Sequence, residues 1–197
     1  MIKIGITGGI GSGKSIVSGF FLEWGAYVFD ADKEAKIILK ENETAQSEII
    51  AEFGTDILGS NNRIEKKKLS KIVFQDENHL LRLNTIVHPY IFNEVDKRLE
   101  IISAKSKHDL FVLDAALIYE SGAETHMDYM IVVTSRIGLR TERVMERGGL
   151  TRKEFLKRVS LQWPDEEKVK LADFIIENNG SKNSLKKDAE AIFKKLI

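Results

Sequence analysis

Eight consecutive residues, Gly8-Gly9-Ile10-Gly11-Ser12-Gly13-Lys14-Ser15, constrain this chain more than any other feature. They match G-x-x-x-x-G-K-S/T, in which glycines let the backbone turn tightly enough to aim successive N–H groups at phosphate oxygens. Ahead of them runs Ile2 to Thr7, short and apolar. Behind them Ile16, Val17, Phe20, Phe21 and Trp24 recur at helical spacing, with Gly25 as the stop. A strand, a glycine loop and a helix N-terminus in that order bring the positive end of the helix onto the anion the loop cradles. Lys14 is then placed for the β- and γ-phosphates of a nucleotide and Ser15 for Mg²⁺. A merely glycine-rich turn would not need the strand in front or the amphipathic helix behind.

The chain of 197 residues suits one single-core domain with room for an inserted lobe. Thirty Lys and Arg balance thirty Asp and Glu, so no whole-molecule field draws the protein to nucleic acid or anionic membrane. With no cysteine there are no disulfides, thiolate nucleophiles or Cys-ligated metals, which fits a reducing compartment and makes the cytoplasm the expected location. No apolar run approaches the roughly 18 residues that span a bilayer. The apolar start leads into glycines and a lysine rather than a cleavage site, and is expected to stay as a strand.

Five short apolar runs, Ile2 to Thr7, Tyr27 to Phe29, Leu110 to Leu113, Met130 to Thr134 and Phe174 to Ile176, look like parallel strands buried on both faces. The expected fold is therefore α/β, three layers around a parallel central sheet. Residues 35–99 are helical in pattern without a convincing core strand and read as an inserted lobe. The core is expected at about 1–34, 100–135 and 164–197. From Arg136 to Arg158, eight Lys or Arg face three acids, and Gly148-Gly149 separates two helices, the second opened by a Thr151-x-x-Glu154 capping box. Arg140, Arg143 and Arg147 share one helix face, where like charges repel. Such a face wants an anion, and the stretch of about 136–160 reads as a lid that closes arginines onto phosphates. The plainer alternative is a solvated helix face.

Asp30-Ala31-Asp32 comes directly after the second strand. Ligands gather beyond the carboxyl ends of parallel strands, so these carboxylates are expected at the rim that carries Lys14 and Ser15. One can accept a proton from an attacking hydroxyl and the pair can hold metal-bound water; the alternative is an acidic helix cap. Asp30 suits the cap or the metal side and Asp32 the base, although spacing hardly separates them. Asp114, which ends the strand Leu110-Phe-Val-Leu, is a candidate for holding Mg²⁺ through water, or else caps the next segment of chain. The four histidines show no metal spacing. His88-Pro89 lies in the inserted lobe, where the histidine suits a structural role or a substrate contact. Lys66-Lys67-Lys68 reads as a solvated turn, and Asp56-Ile-Leu-Gly59, with no strand before it and no guanine-reading motif elsewhere, as chance.

Together these residues resemble the dephospho-CoA kinase family over nearly the whole chain. The resemblance is carried by Thr7 to Ser15, Asp30-Ala31-Asp32, Phe53-Gly54, Ile72-Val73-Phe74, His88-Pro89-Tyr90-Ile91, Leu117-Ile118-Tyr119-Glu120, Arg143 with Arg147, Gln162, and Ala172-Asp173 with Asn178-x-Gly180. Departures are Ala116 where the family has proline, Ile16 for threonine, Arg140 for glutamine and Lys66 for arginine. The resemblance implies a P-loop kinase that phosphorylates the ribose 3′-hydroxyl of dephospho-CoA with ATP and Mg²⁺. ATP would be held by Gly11, Ser12, Gly13, Lys14, Ser15, Ile16, Arg147 and Asn178, and Mg²⁺ by Ser15 and Asp114. Asp32, Lys14 and Arg143 would act in transfer, and the inserted lobe of about 35–99, with Asp30, His88, Leu117 and Glu120, would receive the acceptor. A kinase of another small acceptor, such as a nucleoside monophosphate or a sugar acid, shares the same loop, base and lid. A nucleotide-switched binding protein is the third possibility.

Overall fold

A computed structural model describes all residues, 1–197. Five strands form one sheet: β1 (Ile2–Thr7), β2 (Tyr27–Asp30), β3 (Leu110–Asp114), β4 (Tyr129–Thr134) and β5 (Phe174–Glu177), in the order β2-β3-β1-β4-β5. Every pairing is parallel, as the apolar runs predict. The helices are α1 (Lys14–Glu23), α2 (Ala31–Glu41), α3 (Glu43–Phe53), α4 (Lys66–Val73), α5 (Glu77–Lys105), α6 (Ile118–Ser121), α7 (Ile137–Arg147), α8 (Arg152–Ser160), α9 (Asp165–Lys170) and α10 (Lys182–Leu196).

One face of the sheet buries Ile4, Ile6, Val112, Ile131, Val133 and Ile176 against Val17, Phe20 and Phe21 of α1 and Leu185, Ala189 and Phe193 of α10. Strand alternation sends Phe29, Phe111, Leu113, Met130 and Val132 to the opposite face, where they too are buried. Strand β1 is central, with β3 on one side and β4 on the other, so the sheet's order reverses there. Ligands of open parallel sheets collect at that reversal, beyond the strand ends, and the glycine loop leaves β1 at this point.

The chain divides into two compact units, Met1–Asp30 with Arg98–Ile197, and Ala31–Lys97. The first holds the sheet. The second is helical apart from an isolated antiparallel bridge between Leu58 and Ile64, with α2, α3, α4 and most of α5, whose 29 residues run on through Pro89. Its core gathers Ile38, Ala45, Ile49, Ile57, Leu69, Val73, Val87 and Ile91. No helix is long and apolar enough to cross a membrane.

Candidate active site

The loop after β1 turns through three glycines at positive φ, Gly8, Gly11 and Gly13. Within it the Ser12 N–H donates to the Gly9 carbonyl at 3.0 Å and the Ile16 N–H to the Gly13 carbonyl at 2.9 Å. The Ile10 N–H donates to Gln162 Oε1 at 2.9 Å. The N–H groups of Gly11, Gly13 and Ser15 have no acceptor inside the protein. Gly13 caps α1 without a side-chain bond, so the first N–H groups of the helix and its positive end are left for an anion. Of the run Gly11 to Ile16, then, the N–H groups of Ser12 and Ile16 close the turn, while those of Gly11, Gly13 and Ser15 are left for another acceptor.

Lys14, the first residue of α1, is 8% exposed, and its ammonium lies on Asp114 Oδ1 at the end of β3. The sequence suggests a loop lysine with little part in packing; here it neutralises a buried carboxylate instead. Burial pushes the Asp114 carboxyl above its usual range and neighbouring Asp30 adds to the rise, against the pull of Lys14 and a hydrogen bond from Ser18. Asp30 pairs with Asp114 in the β2–β3 register, so the two carboxylates stand side by side at the strand ends. The Ser15 side chain is exposed at the start of α1. Ser15 and Asp114 offer only oxygen donors, with Asp30 as a second carboxylate, and a hard cation such as Mg²⁺ takes that chemistry.

The basic stretch does not present one uniform face. Arg140 is 5% exposed and donates through Nε to the Ile10 carbonyl at 2.8 Å and through Nη1 to Asp165 Oδ2 at 2.7 Å. The Ile10 peptide is thus held on both sides, by Gln162 at its N–H and Arg140 at its carbonyl. A Cβ on Gly9 would strike the Arg140 guanidinium, so only glycine lets the loop lie flat against it. Arg143 donates to the Asn178 carbonyl at 2.8 Å and to Ser135 Oγ at 3.1 Å. Arg147, at the end of α7, is exposed. Mutual repulsion is avoided because the first two guanidiniums are separately occupied. The capping box of α8 forms as the Thr151-x-x-Glu154 spacing predicts.

Asn178 is buried, and its Nδ2 donates to the Ser12 carbonyl at 2.8 Å, bracing the loop from beneath. Glu120 accepts from the Trp163 N–H at 2.9 Å and from the fully buried Lys168 at 2.7 Å; Lys168 also donates to the Ala116 carbonyl at 3.0 Å. Leu117, half-buried, precedes α6. In the helical unit, Asp32 is exposed in the first turn of α2 and His88 is half-buried in α5, where burial lowers its pKa and favours the neutral ring. Sequence reasoning named Gln162 only as part of the family resemblance and did not single out Asp165 or Lys168. Their partners lie far along the chain, and no local pattern announces them.

The sequence model of the dephospho-CoA kinase family matches residues 2–184. The dephospho-CoA kinase of Geobacillus kaustophilus is 39% identical over 193 residues, covering 98% of this chain and 96% of its own. That of Aquifex aeolicus is 38% identical over 196 residues, covering 100% and 98%. Among solved structures, a Thermus thermophilus protein aligns at TM-score 0.82 and 34% identity, over 100% of this chain and 98% of its own. A Campylobacter jejuni dephospho-CoA kinase aligns at 0.67 and 27%, over 98% and 96%. A shikimate kinase from Acinetobacter baumannii, at 0.55 and 15% identity over 100% and 93%, shares the fold alone. Because the match runs through the glycine loop, the helical insertion and the basic stretch alike, the chain belongs to the dephospho-CoA kinase family.

Proposed function

We propose that this protein phosphorylates dephospho-CoA, transferring the γ-phosphoryl group of ATP to the ribose 3′-hydroxyl and releasing CoA and ADP. The observation that carries the proposal is the loop whose Gly11, Gly13 and Ser15 N–H groups stand without acceptors beside Lys14, in a chain of this family. These donors suit phosphate oxygens, and their rigid presentation stabilises charge that grows during transfer. Lys14, released from Asp114, would follow that charge. Ser15 and Asp114 would hold Mg²⁺, which when bound offsets charge on the β- and γ-phosphate oxygens. Asp32 would orient the acceptor hydroxyl and take its proton, with Asp30 on the metal side.

In the same proposal Arg147 closes onto the nucleotide, and Arg143 serves both loop and phosphate. Asn178 acts as a positioning residue through the Ser12 carbonyl. His88, Leu117 and Glu120 belong to the acceptor side, Glu120 by fixing the turn that carries Leu117. The reaction would run in the cytoplasm. The experiment is a coupled assay of ADP release from Mg²⁺-ATP with and without dephospho-CoA. Release that depends on dephospho-CoA is expected; release at the same rate without it, or only with another acceptor such as a nucleoside monophosphate, overturns the assignment.

A further inference from the structure

Lys168 of α9 is fully buried beside exposed Glu166, Glu167 and Lys170, and no step proposed above uses it. Burying an ammonium forfeits its hydration, and an apolar side chain of similar volume often serves stability as well. What the ammonium adds is direction. It donates to the Ala116 carbonyl at 3.0 Å and pairs with Glu120 Oε1 at 2.7 Å. Both acceptors belong to the chain just past β3, whose last residue is Asp114. The Ala116 carbonyl also accepts from Thr7 Oγ1 at 3.1 Å, and Thr7 ends β1 immediately before the glycine loop. Alanine at 116 does not fix φ as a proline would, so the course of this turn rests on such bonds.

The residues just before Lys168 reach the glycine loop as well. Gln162 accepts from the Ile10 N–H, and Asp165 holds Arg140, which donates to the Ile10 carbonyl. Between them the Trp163 N–H donates to Glu120. Residues 162–168 are therefore fastened to the loop by one set of side chains and to the turn after Asp114 by another. Bonds running between those two places fix their separation. That separation decides whether Lys14, the loop donors and Asp114 face the same phosphate group.

We propose that Lys168 is a positioning residue for phosphoryl transfer, holding the turn after Asp114 in register with the glycine loop through the Ala116 carbonyl and Glu120. The proposal rests on the phosphotransferase activity proposed above. Being fully buried, Lys168 acts through these two groups rather than on a substrate. Its loss misplaces the Asp114 side of the site. The loop, still held by Gln162, Arg140 and Asn178, keeps its grip on the nucleotide.

Lys168→Met removes the ammonium at similar volume and strands the Glu120 carboxylate, which by itself destabilises. The decisive variant adds Glu120→Gln, which removes the stranded charge and keeps an oxygen for the Trp163 N–H. This double variant should melt near the wild type and bind ATP in calorimetry within about threefold of the wild-type Kd. It should still lose kcat by about tenfold or more, because a small displacement of a reacting group is that costly. Glu120→Gln alone leaves Lys168 on the Ala116 carbonyl and should lose less kcat; an equal loss in the two overturns the proposal. Recovery of kcat together with the melting temperature in the double variant overturns it, since Lys168 would then serve the fold alone. A fall in ATP affinity as large as the fall in kcat also overturns it. If the wild type does not phosphorylate dephospho-CoA, the proposed activity fails by itself, and the hold on the turn is read from hydrogen exchange. Amides of residues 115–121, among them the Ala115 N–H bonded to the Ile6 carbonyl, should exchange about tenfold or more faster in the double variant, with those of residues 8–16 unchanged. Equal exchange at 115–121 in the two proteins overturns the proposal.

Discussion

Lys14 and Asp114 hold each other inside the protein before any phosphate arrives, which ties catalysis to stability at this pair. Lys14→Met should lower turnover at least about 10²-fold by removing positive charge where phosphate charge develops. It should also destabilise the fold, because removing one partner leaves a buried carboxylate uncompensated. Asp114 would then be protonated at still higher pH than in the wild type. A folded-state pKa raised above the unfolded one gives stability present at low pH and lost as pH rises through the folded value, so the variant should melt higher toward acid. Adding Asp114→Asn should restore its melting temperature at neutral pH, and thermal melts across pH show whether it does. At the other carboxylates, Asp32→Asn should cut kcat by about 10²–10⁴ with nucleotide binding preserved, while Asp30→Asn should act mainly through the Mg²⁺ requirement. Single-turnover rates at several Mg²⁺ concentrations separate the two, and a larger kcat loss at Asp30 exchanges their roles.

Among the elements, α7 does more than a mobile flap would, because Arg140 joins it to the Ile10 peptide and to Asp165, the first residue of α9. Arg140→Ala should destabilise by about 2–4 kcal/mol, leaving Asp165 and the Ile10 carbonyl without their donor, and should raise KM for ATP as the loop loosens. Lysine cannot span both acceptors from one planar fork, so Arg140→Lys should recover little. Arg147→Ala is the contrast, with KM for ATP raised and the melting temperature unchanged; equal melting losses in the two variants would contradict this division. The strands and the glycine loop were legible because their signals are local: an apolar run ending in Asp or Thr, then glycines where the chain turns. Arg140 was not legible. Its partner Asp165 stands 25 positions on, beside Glu166 and Glu167, and nothing in that acidic run marks which carboxylate turns inward. Lys168, fully buried in the same charged run, was hidden for the same reason.

Over the whole molecule, one half-buried imidazole makes stability sensitive to acid. His88 is held neutral by burial, with a folded-state pKa below its ordinary 6.5. A depressed pKa gives stability that is present above the unfolded value and lost as pH falls through the folded one. Melting temperature should therefore decline more steeply below pH 6.5 in the wild type than in His88→Gln; parallel declines would show that the imidazole contributes nothing. The sheet's termination has a different consequence. Its two outer strands, β2 and β5, are only 4 residues each and end in exposed carboxylates, Asp30 and Glu177. A neighbouring molecule adding a strand there would gain few backbone hydrogen bonds and would bring negative charge against negative charge. A central sheet of apolar strands thus stays shielded from edge-to-edge growth into fibrils, and crowding in concentrated solution should leave the protein dispersed.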